Sequence, residues 1–522
     1  MNQVERYDVV VCGGGLAGLT ASRQIKRAMP DCTVLVLERS TGDIPDAAYK
    51  VGESAVEAGS HYFTEQLGLS GHFNRQQLPK LGLRLFFGDA RGPFEARPEI
   101  GSRRFPRVHS YQIDRGILER ELRRGARGLG VDLVELAKVT DVDLAGDDED
   151  HVVHYELEGE STERTVRARF IVDASGRHRL IQRKLGLGTP SAHKINAAWW
   201  RFRGEYDVEK MAAATSPTWT PKTQERRWFS TNHLMGTGYW VWMIPLSSGN
   251  TSVGIVTDEN VHPFSTYSTE TKARRWLDEY EPTLAEFVEK AEIIDFLKVR
   301  NASYFSKQAF SHHRWSCVGE AAVFLDAFYS PGSDWIAYTN TITTRMIELD
   351  RKGRLTEAVA DTYNQLLLED LWQSYFPVYL NNYPIFGHAP AMFTKVIWDT
   401  SFYWALPAQL LFRGLIANED AAAEFHPIAQ RFHGIQQRMQ ANLRAFATQT
   451  RPTDEYMFLE YSKEPICTQL HLDLITDKTA DRCFRDMRRN VDRLESWAGS
   501  FERELAKRYD LPQPEPTATA VR

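Results

Sequence analysis

The chain has 522 residues and a formal net charge of −6, with 63 Lys and Arg against 69 Asp and Glu, so it lacks the basic surplus a nucleic-acid binder uses to neutralise phosphates. Hydrophobic residues at 42% and charged residues at 25% exclude a collagen-like or largely disordered chain and give room for about two to four core-forming units. The five cysteines, Cys12, Cys32, Cys317, Cys467 and Cys483, are far apart, odd in number and without CxxC spacing. That pattern argues against a zinc site or disulfide framework and predicts a reducing, cytoplasmic setting.

From the N-terminus, the apolar run Tyr7 to Val11 leads straight into Gly13-Gly14-Gly15-Leu16-Ala17-Gly18, which reads as the start of a fold and not as a signal peptide. TASRQIKRA follows as a helix, and Cys32 to Leu37 as a second strand ending at Glu38. Strand, glycine turn, helix, strand and acidic residue together form a dinucleotide-binding unit. Gly13, Gly15, Ala17 and Gly18 let the backbone approach a pyrophosphate at the helix N-terminus, and Glu38 accepts ribose hydroxyls. No second unit of this quality follows, which argues against a separate nicotinamide domain.

Tyr111 to Arg115 opens an amphipathic helix leading to a strand expected from Val131 to Val139. FIVDASGR, residues 170–177, reads as a buried strand and turn, with Ser175 in the turn. VGEAAVFLDAFYSPGSDWIAYTN, residues 318–340, reads as a strand and turn, with Pro331-Gly332 ahead of a helix. From about Asn196 to Arg300, aromatic and β-branched residues alternate with turn residues, which predicts an antiparallel sheet. From about Thr339 to Asp510 the period is helical. The apolar stretch from Ser401 contains Pro407 and Arg413 and falls short of the ~20 apolar residues that span a bilayer. The aromatic cluster from Tyr375 to Trp404 therefore reads as core or as the lid of an apolar pocket, and a membrane partner is not expected. His312-His313 lacks companion ligands, so no metal is expected. Asp334 reads as a residue favoured by the positive end of the helix dipole.

Taken in order, these segments resemble the FAD-binding fold of the aromatic hydroxylases. The implied fold class is α/β, a Rossmann-like FAD domain over residues 1–190 and 301–345. An antiparallel substrate-domain sheet spans 191–300, a helical region 346–510 and a disordered tail 511–522.

Trp240-Val241-Trp242-Met243-Ile244-Pro245 is WxWxIP, and here the chain resembles the flavin-dependent halogenases that act on tryptophan, pyrroles and phenols. Three further segments carry the resemblance. Lys50-Val51-Gly52-Glu53-Ser54 is similar to a loop at the flavin. Lys80 to Phe86 is similar to the KxGxxF segment of the catalytic lysine, with the aromatic one place late. Ser330-Pro331-Gly332 stands where the family has an SxG turn near flavin and halide.

The resemblance implies FAD used as FADH2 from a separate flavin reductase. It also implies O2 and a halide, chloride or bromide, converted through a flavin C4a-hydroperoxide to hypohalous acid that reaches an aromatic substrate through a tunnel. Lys80 is the implied catalytic residue. Arg39, Glu53, Ser54, Arg115, Val139, Asp326 and Gly332 are the further implied FAD contacts, and Trp240, Trp242, Ile244, Pro245, Tyr329 and Ser330 lie on the tunnel or substrate side. Two departures stand out. Tyr329 occupies the place of the glutamate of tryptophan-type enzymes, which points to a phenol- or pyrrole-type arene, free or carrier-tethered. Pro331 removes a backbone N–H from the halide turn, which keeps open an FAD-dependent monooxygenase or dehydrogenase that does not use halide. A flavin-binding protein without turnover is a third reading, supported only by the enlarged helical region.

Overall fold

The structure, a computed structural model, describes residues 5–46, 50–88, 92–146, 149–212, 218–453 and 455–509; the expected tail, 511–522, lies outside the described residues. Its first sheet is built on Arg6–Cys12, which runs parallel to Arg164–Asp173 on one side and to Val34–Glu38 on the other. Asp132–Glu135 and Trp315–Cys317 extend the parallel set outwards. Parallel strands covered on both faces are apolar runs without alternation, and Val9, Val10, Val11 and Val36 are accordingly fully buried.

Two expected strands take a different form. The segment from Val131 to Val139 is broken at Leu136, whose φ of 57° cannot continue a strand. Asp132–Glu135 stays in the parallel sheet, whereas Ala137–Asp143 leaves it to pair antiparallel with His151–Leu157. The strand expected after Val318 ends instead at Cys317. Gly319, at φ 55°, starts a short 3-10 turn, and the chain continues without a strand to Pro331. The apolar character of Val323, Leu325 and Phe328 reflects packing in the core, where all three are buried.

The second sheet runs in the order Ile293–Val299, Ile195–Arg203, Asn250–Asp258, Tyr239–Pro245, Thr231–Gly236, Leu83–Phe86, Glu99–Ile100, Phe458–Leu459. Its first five strands pair antiparallel, as expected. Leu83–Phe86 then joins in parallel beside Thr231–Gly236. This places the residues just after Lys80 one strand away from the tryptophan-bearing Tyr239–Pro245.

The C-terminal half is helical, with Gly332–Arg351, Ala389–Ala405, Glu419–Gln449 and Ala480–Tyr509 as its longest members. The Gly332–Arg351 helix packs on both Leu16–Ala28 and Glu57–His61, so it links the dinucleotide unit to the loop ahead of Lys80. All five cysteines are buried and free. Among the described residues no helix is long and apolar enough to cross a membrane.

Candidate active site

The glycine turn is close-packed where the motif needs it to be. Gly13 has φ +117°, and a Cβ there would stand 2.5 Å from the Ala174 carbonyl oxygen. A Cβ on Gly18 would stand 1.9 Å from the Gly13 carbonyl oxygen. The Leu16–Ala28 helix begins at Gly15 with no side chain capping it, which leaves its first N–H groups and the positive end of its dipole for an anion. Ala17 lies in this first turn, and its carbonyl accepts from Asn340 at 3.1 Å. Glu38 accepts from the Gly14 N–H at 2.6 Å and from the Ser40 N–H at 2.8 Å, which puts its carboxylate at the crossing of turn and strand. Arg39 is exposed. Gly332 is the first residue of its helix, and a Cβ there would meet nothing within 4 Å, so protein packing does not demand glycine at this position. These residues fit a bound dinucleotide of the FAD type.

The loop expected at the flavin is tied to both halves of the protein. Arg115 is paired with Glu119 at 2.7 Å and donates to the Val51 carbonyl. Glu53 accepts from Arg201 Nε at 2.7 Å, and Arg201 also holds Asp295 at 2.6 Å. The Ile113 N–H donates to the Glu53 carbonyl at 2.7 Å. Ser54 Oγ lies 3.0 Å from Thr231 Oγ1 and receives Lys80 Nζ at 2.8 Å. Val139 sits opposite Tyr155 in the antiparallel pair. Asp326 is enclosed, accepting from Tyr383 at 2.9 Å and lying 2.6 Å from His193 Nε2.

Lys80 is 1% exposed. Its amine donates to Ser54 Oγ and, at 3.2 Å, to the Ala55 carbonyl. Burial lowers its pKa to about 8, against the opposing charges of Glu57 and Asp334. All three groups line one cavity of about 60 Å³, walled by Tyr329, Tyr375, Tyr379, Phe402, Tyr403 and Trp404. The aromatic cluster from Tyr375 to Trp404 thus supplies the cavity's far wall. Burial alone would raise the Glu57 carboxyl, but His471, 3.6 Å away, and Lys80 hold it below the usual range. Asp334 behaves oppositely. Burial, with Glu57 adding to it, lifts its pKa to about 8 against the Gly59 N–H, Tyr403 and Lys80. Asp334 stands in the first turn of the Gly332–Arg351 helix, and its carboxyl also accepts from the Gly59 N–H of another helix at 2.7 Å, with the residue lining the cavity.

Trp240 and Trp242 share one face of Tyr239–Pro245, with ring centroids 5.7 Å apart. Their N–H groups donate to Tyr383 Oη at 2.9 Å and Ser252 Oγ at 3.0 Å. Phe328, from the turn ahead of the Gly332–Arg351 helix, packs on Trp240 at 5.4 Å. The indoles form a packed wall behind the turn, and the cavity lining reaches Tyr329 and Pro331 without including either of them. Ile244 and Pro245 continue the same buried strand. Tyr329 and Ser330 have φ of 68° and 59°, two successive non-glycine residues in left-handed backbone, a conformation held only where the surroundings over-determine it. Tyr329 is anchored by its hydroxyl, which donates to Asp399 at 3.2 Å.

A parallel sheet with a glycine turn at the start of its first helix, and a buried lysine at a separate cavity, fit an FAD-dependent oxidoreductase. Residues 6–324 match the FAD binding domain family, and the chain belongs to it. Its relatives are flavin-dependent halogenases. It is 27% identical over 452 residues to flavin-dependent halogenase chlA of Dictyostelium discoideum, covering 78% of this chain and 72% of that protein. It is 26% identical to the 1H-pyrrole-2-carbonyl-[peptidyl-carrier protein] chlorinase of Pseudomonas fluorescens, over 62% of this chain and 72% of that one. The crystal structure of halogenase PltM superposes with a TM-score of 0.69 at 16% identity, over 94% of this chain and 96% of PltM.

Sequence reasoning missed Glu57 as a cavity group. The nearest signal was proximity, since Glu57 falls three residues after Ser54, the last residue of the segment the resemblance picks out, and opens the helix that follows.

Proposed function

We propose that this enzyme halogenates an activated arene of the phenol or pyrrole type, using FADH2, O2 and chloride or bromide. The observation that carries the reading is Lys80: a primary amine removed from bulk water, held by Ser54 of the flavin loop and facing an aromatic-lined cavity. Reduced FAD, when bound with O2, supplies the two-electron oxidation of halide to hypohalous acid. Gly13, Gly15, Ala17, Gly18 and Glu38 would hold its ADP half, and Gly332 would lie near its ring and the halide.

The chain's own residues then do three things. Trp240, Trp242 and Phe328 pack as a wall behind the turn that carries Tyr329, and this wall would keep carbon substrate from the oxidant's source. Lys80 holds the hypohalous acid through its N–H donors, which a movable ammonium does and arginine's rigid fork does not reproduce. The aromatic cavity walls orient the arene against it, so that two reactants meet in fixed geometry. A carrier-tethered substrate is supported by the similarity to the pyrrole-carrier-protein chlorinase, and FADH2 comes from a separate flavin reductase. Pro331 favours the alternative, a monooxygenase or dehydrogenase without halide, because the residue before the Gly332–Arg351 helix has no N–H to give an anion.

The test is turnover with FAD, a flavin reductase, NADH and bromide, trapping free oxidant with monochlorodimedone and following phenols by mass spectrometry. Bromide-dependent halogenation of a phenol that falls at least about 100-fold in Lys80→Ala, with FAD still bound, is expected. Oxygen incorporation independent of halide would replace this reading with the alternative.

A further inference from the structure

Away from the glycine turn and the Lys80 cavity, a second cleft of about 500 Å³ opens between the Leu16–Ala28, Ser70–Gln76 and Arg115–Gly128 helices. Its lining carries Arg23, Arg75, Arg120, Arg124 and His72 against a single carboxylate, Glu121. That carboxylate is engaged by Arg124, which donates to it through Nε at 3.0 Å and Nη2 at 2.7 Å. Arg120 is held by Asp46 and the Ile44 carbonyl. Arg23 donates Nε to the Leu67 carbonyl at 2.8 Å, and its two terminal nitrogens have no partner among the described residues. Arg75 makes no ion pair or hydrogen bond among the described residues.

A chain of net charge −6 thus gathers four guanidiniums in one cleft and leaves two of them free. Burial, with the Arg27 charge behind it, lowers the Arg23 pKa against Glu121, and burial, with Arg75 and Arg124 behind it, lowers that of His72. A cleft of one sign between low-dielectric walls focuses its field on an entering anion. Every fixed cation here is an arginine, whose planar fork pairs with phosphate through two parallel N–H bonds. Two free forks match two phosphoryl groups, where one carboxylate would engage only one of them. The volume falls among those of small-molecule sites, ~300–1,000 Å³. Arg23 lies about 10 Å along its helix from the N-terminus that faces the glycine turn, at ~1.5 Å per residue, which separates the cleft from the dinucleotide cradle.

We infer that this cleft is a second ligand site, which takes a small molecule bearing a diphosphate between Arg23 and Arg75. Inorganic pyrophosphate and a nucleoside diphosphate share that group, and Ile117 in the lining offers a nucleoside an apolar contact that pyrophosphate does not use. The inference is independent of the halogenation reading.

The test is titration calorimetry of the FAD-saturated protein with sodium pyrophosphate, and separately with ADP, at about 0.15 M salt, where attraction between exposed charges beyond ~8 Å is screened. Saturable binding is expected, weakened at least about tenfold by Arg23→Gln and by Arg75→Gln, the scale of one charge-assisted contact. Arg431→Gln removes the same charge from a surface cluster with Asp492 and Glu495 and should leave the affinity unchanged. FAD retention should be unchanged in all three variants, which separates a lost contact from a misfolded chain. ADP binding at least about tenfold tighter than pyrophosphate would identify a nucleoside diphosphate as the ligand, and comparable affinity the diphosphate alone. No saturable binding of either probe to wild type, binding kept by both cleft variants, or equal weakening by Arg431→Gln would overturn the site. No turnover is read, so its failure and that of the halogenation reading are distinct results.

Discussion

The Asp334 carboxyl should be visible in the stability of the protein. Its pKa rises from 3.8 in the unfolded chain to about 8 in the fold. Between these values the folded state keeps a proton that the unfolded chain has released, so the group's contribution to stability falls as pH rises from about 4 to 8. At about 1.4 kcal/mol per pH unit, the penalty grows by about 4 kcal/mol between pH 5 and 8. Relaxation around a real buried charge halves such figures, which leaves about 2–4 kcal/mol. Asp334→Asn cannot ionise and escapes this term. Any fixed cost of its amide is the same at both pH values. With an unfolding entropy of about 2.1 cal/mol/K per residue, the 522-residue chain gains or loses about 1 °C of Tm per 1.1 kcal/mol. The Tm of Asp334→Asn minus that of wild type is therefore expected to rise by about 2–4 °C from pH 5 to pH 8, read by scanning calorimetry at one ionic strength. A difference that is flat with pH, or that falls, would refute the reading of Asp334 as a buried, protonated acid.

Two further substitutions test the cofactor side. Gly18→Ala puts a methyl group 1.9 Å from the Gly13 carbonyl oxygen, a contact only backbone displacement can relieve. FAD retention after desalting, read by absorbance, should fall at least about tenfold, and full retention would contradict the assigned cradle. Pro331→Ser restores an N–H ahead of the Gly332–Arg351 helix. A hydrogen bond to a charged group is worth about 1.5–3 kcal/mol, so half-saturation with bromide should drop about ten- to 100-fold, and an unchanged halide dependence would remove this turn from the halide site.

The dinucleotide unit was legible because its chemistry is local. The glycines, the helix that follows and Glu38 lie within one run of chain, and the contact that makes glycine obligatory at position 18 is with the turn itself, although the one at position 13 comes from the distant Ala174. The antiparallel sheet was legible for the same reason, through alternation. Illegible were features created by approach of distant segments. Leu83–Phe86 joins the sheet only because it lies beside Thr231–Gly236, and the aromatic wall needs Phe328 to meet Trp240 across 88 positions of sequence. The strand expected after Val318 failed because apolar residues buried under a helix look like strand residues, while the left-handed backbone at Tyr329 and Ser330 leaves no composition signal in residues other than glycine. The cavity position of Asp334 was illegible for a related reason. An acidic residue in a first turn is usually explained by the helix dipole, and nothing in the local sequence says that Gly59 and Lys80 will stand opposite it.

The charges around Lys80 explain how an amine can work without bulk water. A lone ammonium in this cavity would shed its proton, because burial penalises the charged form. With Glu57 held ionised by His471 and Lys80, and Asp334 kept protonated by burial, the three groups carry no net charge near neutrality, and the ammonium persists without a second carboxylate competing for it.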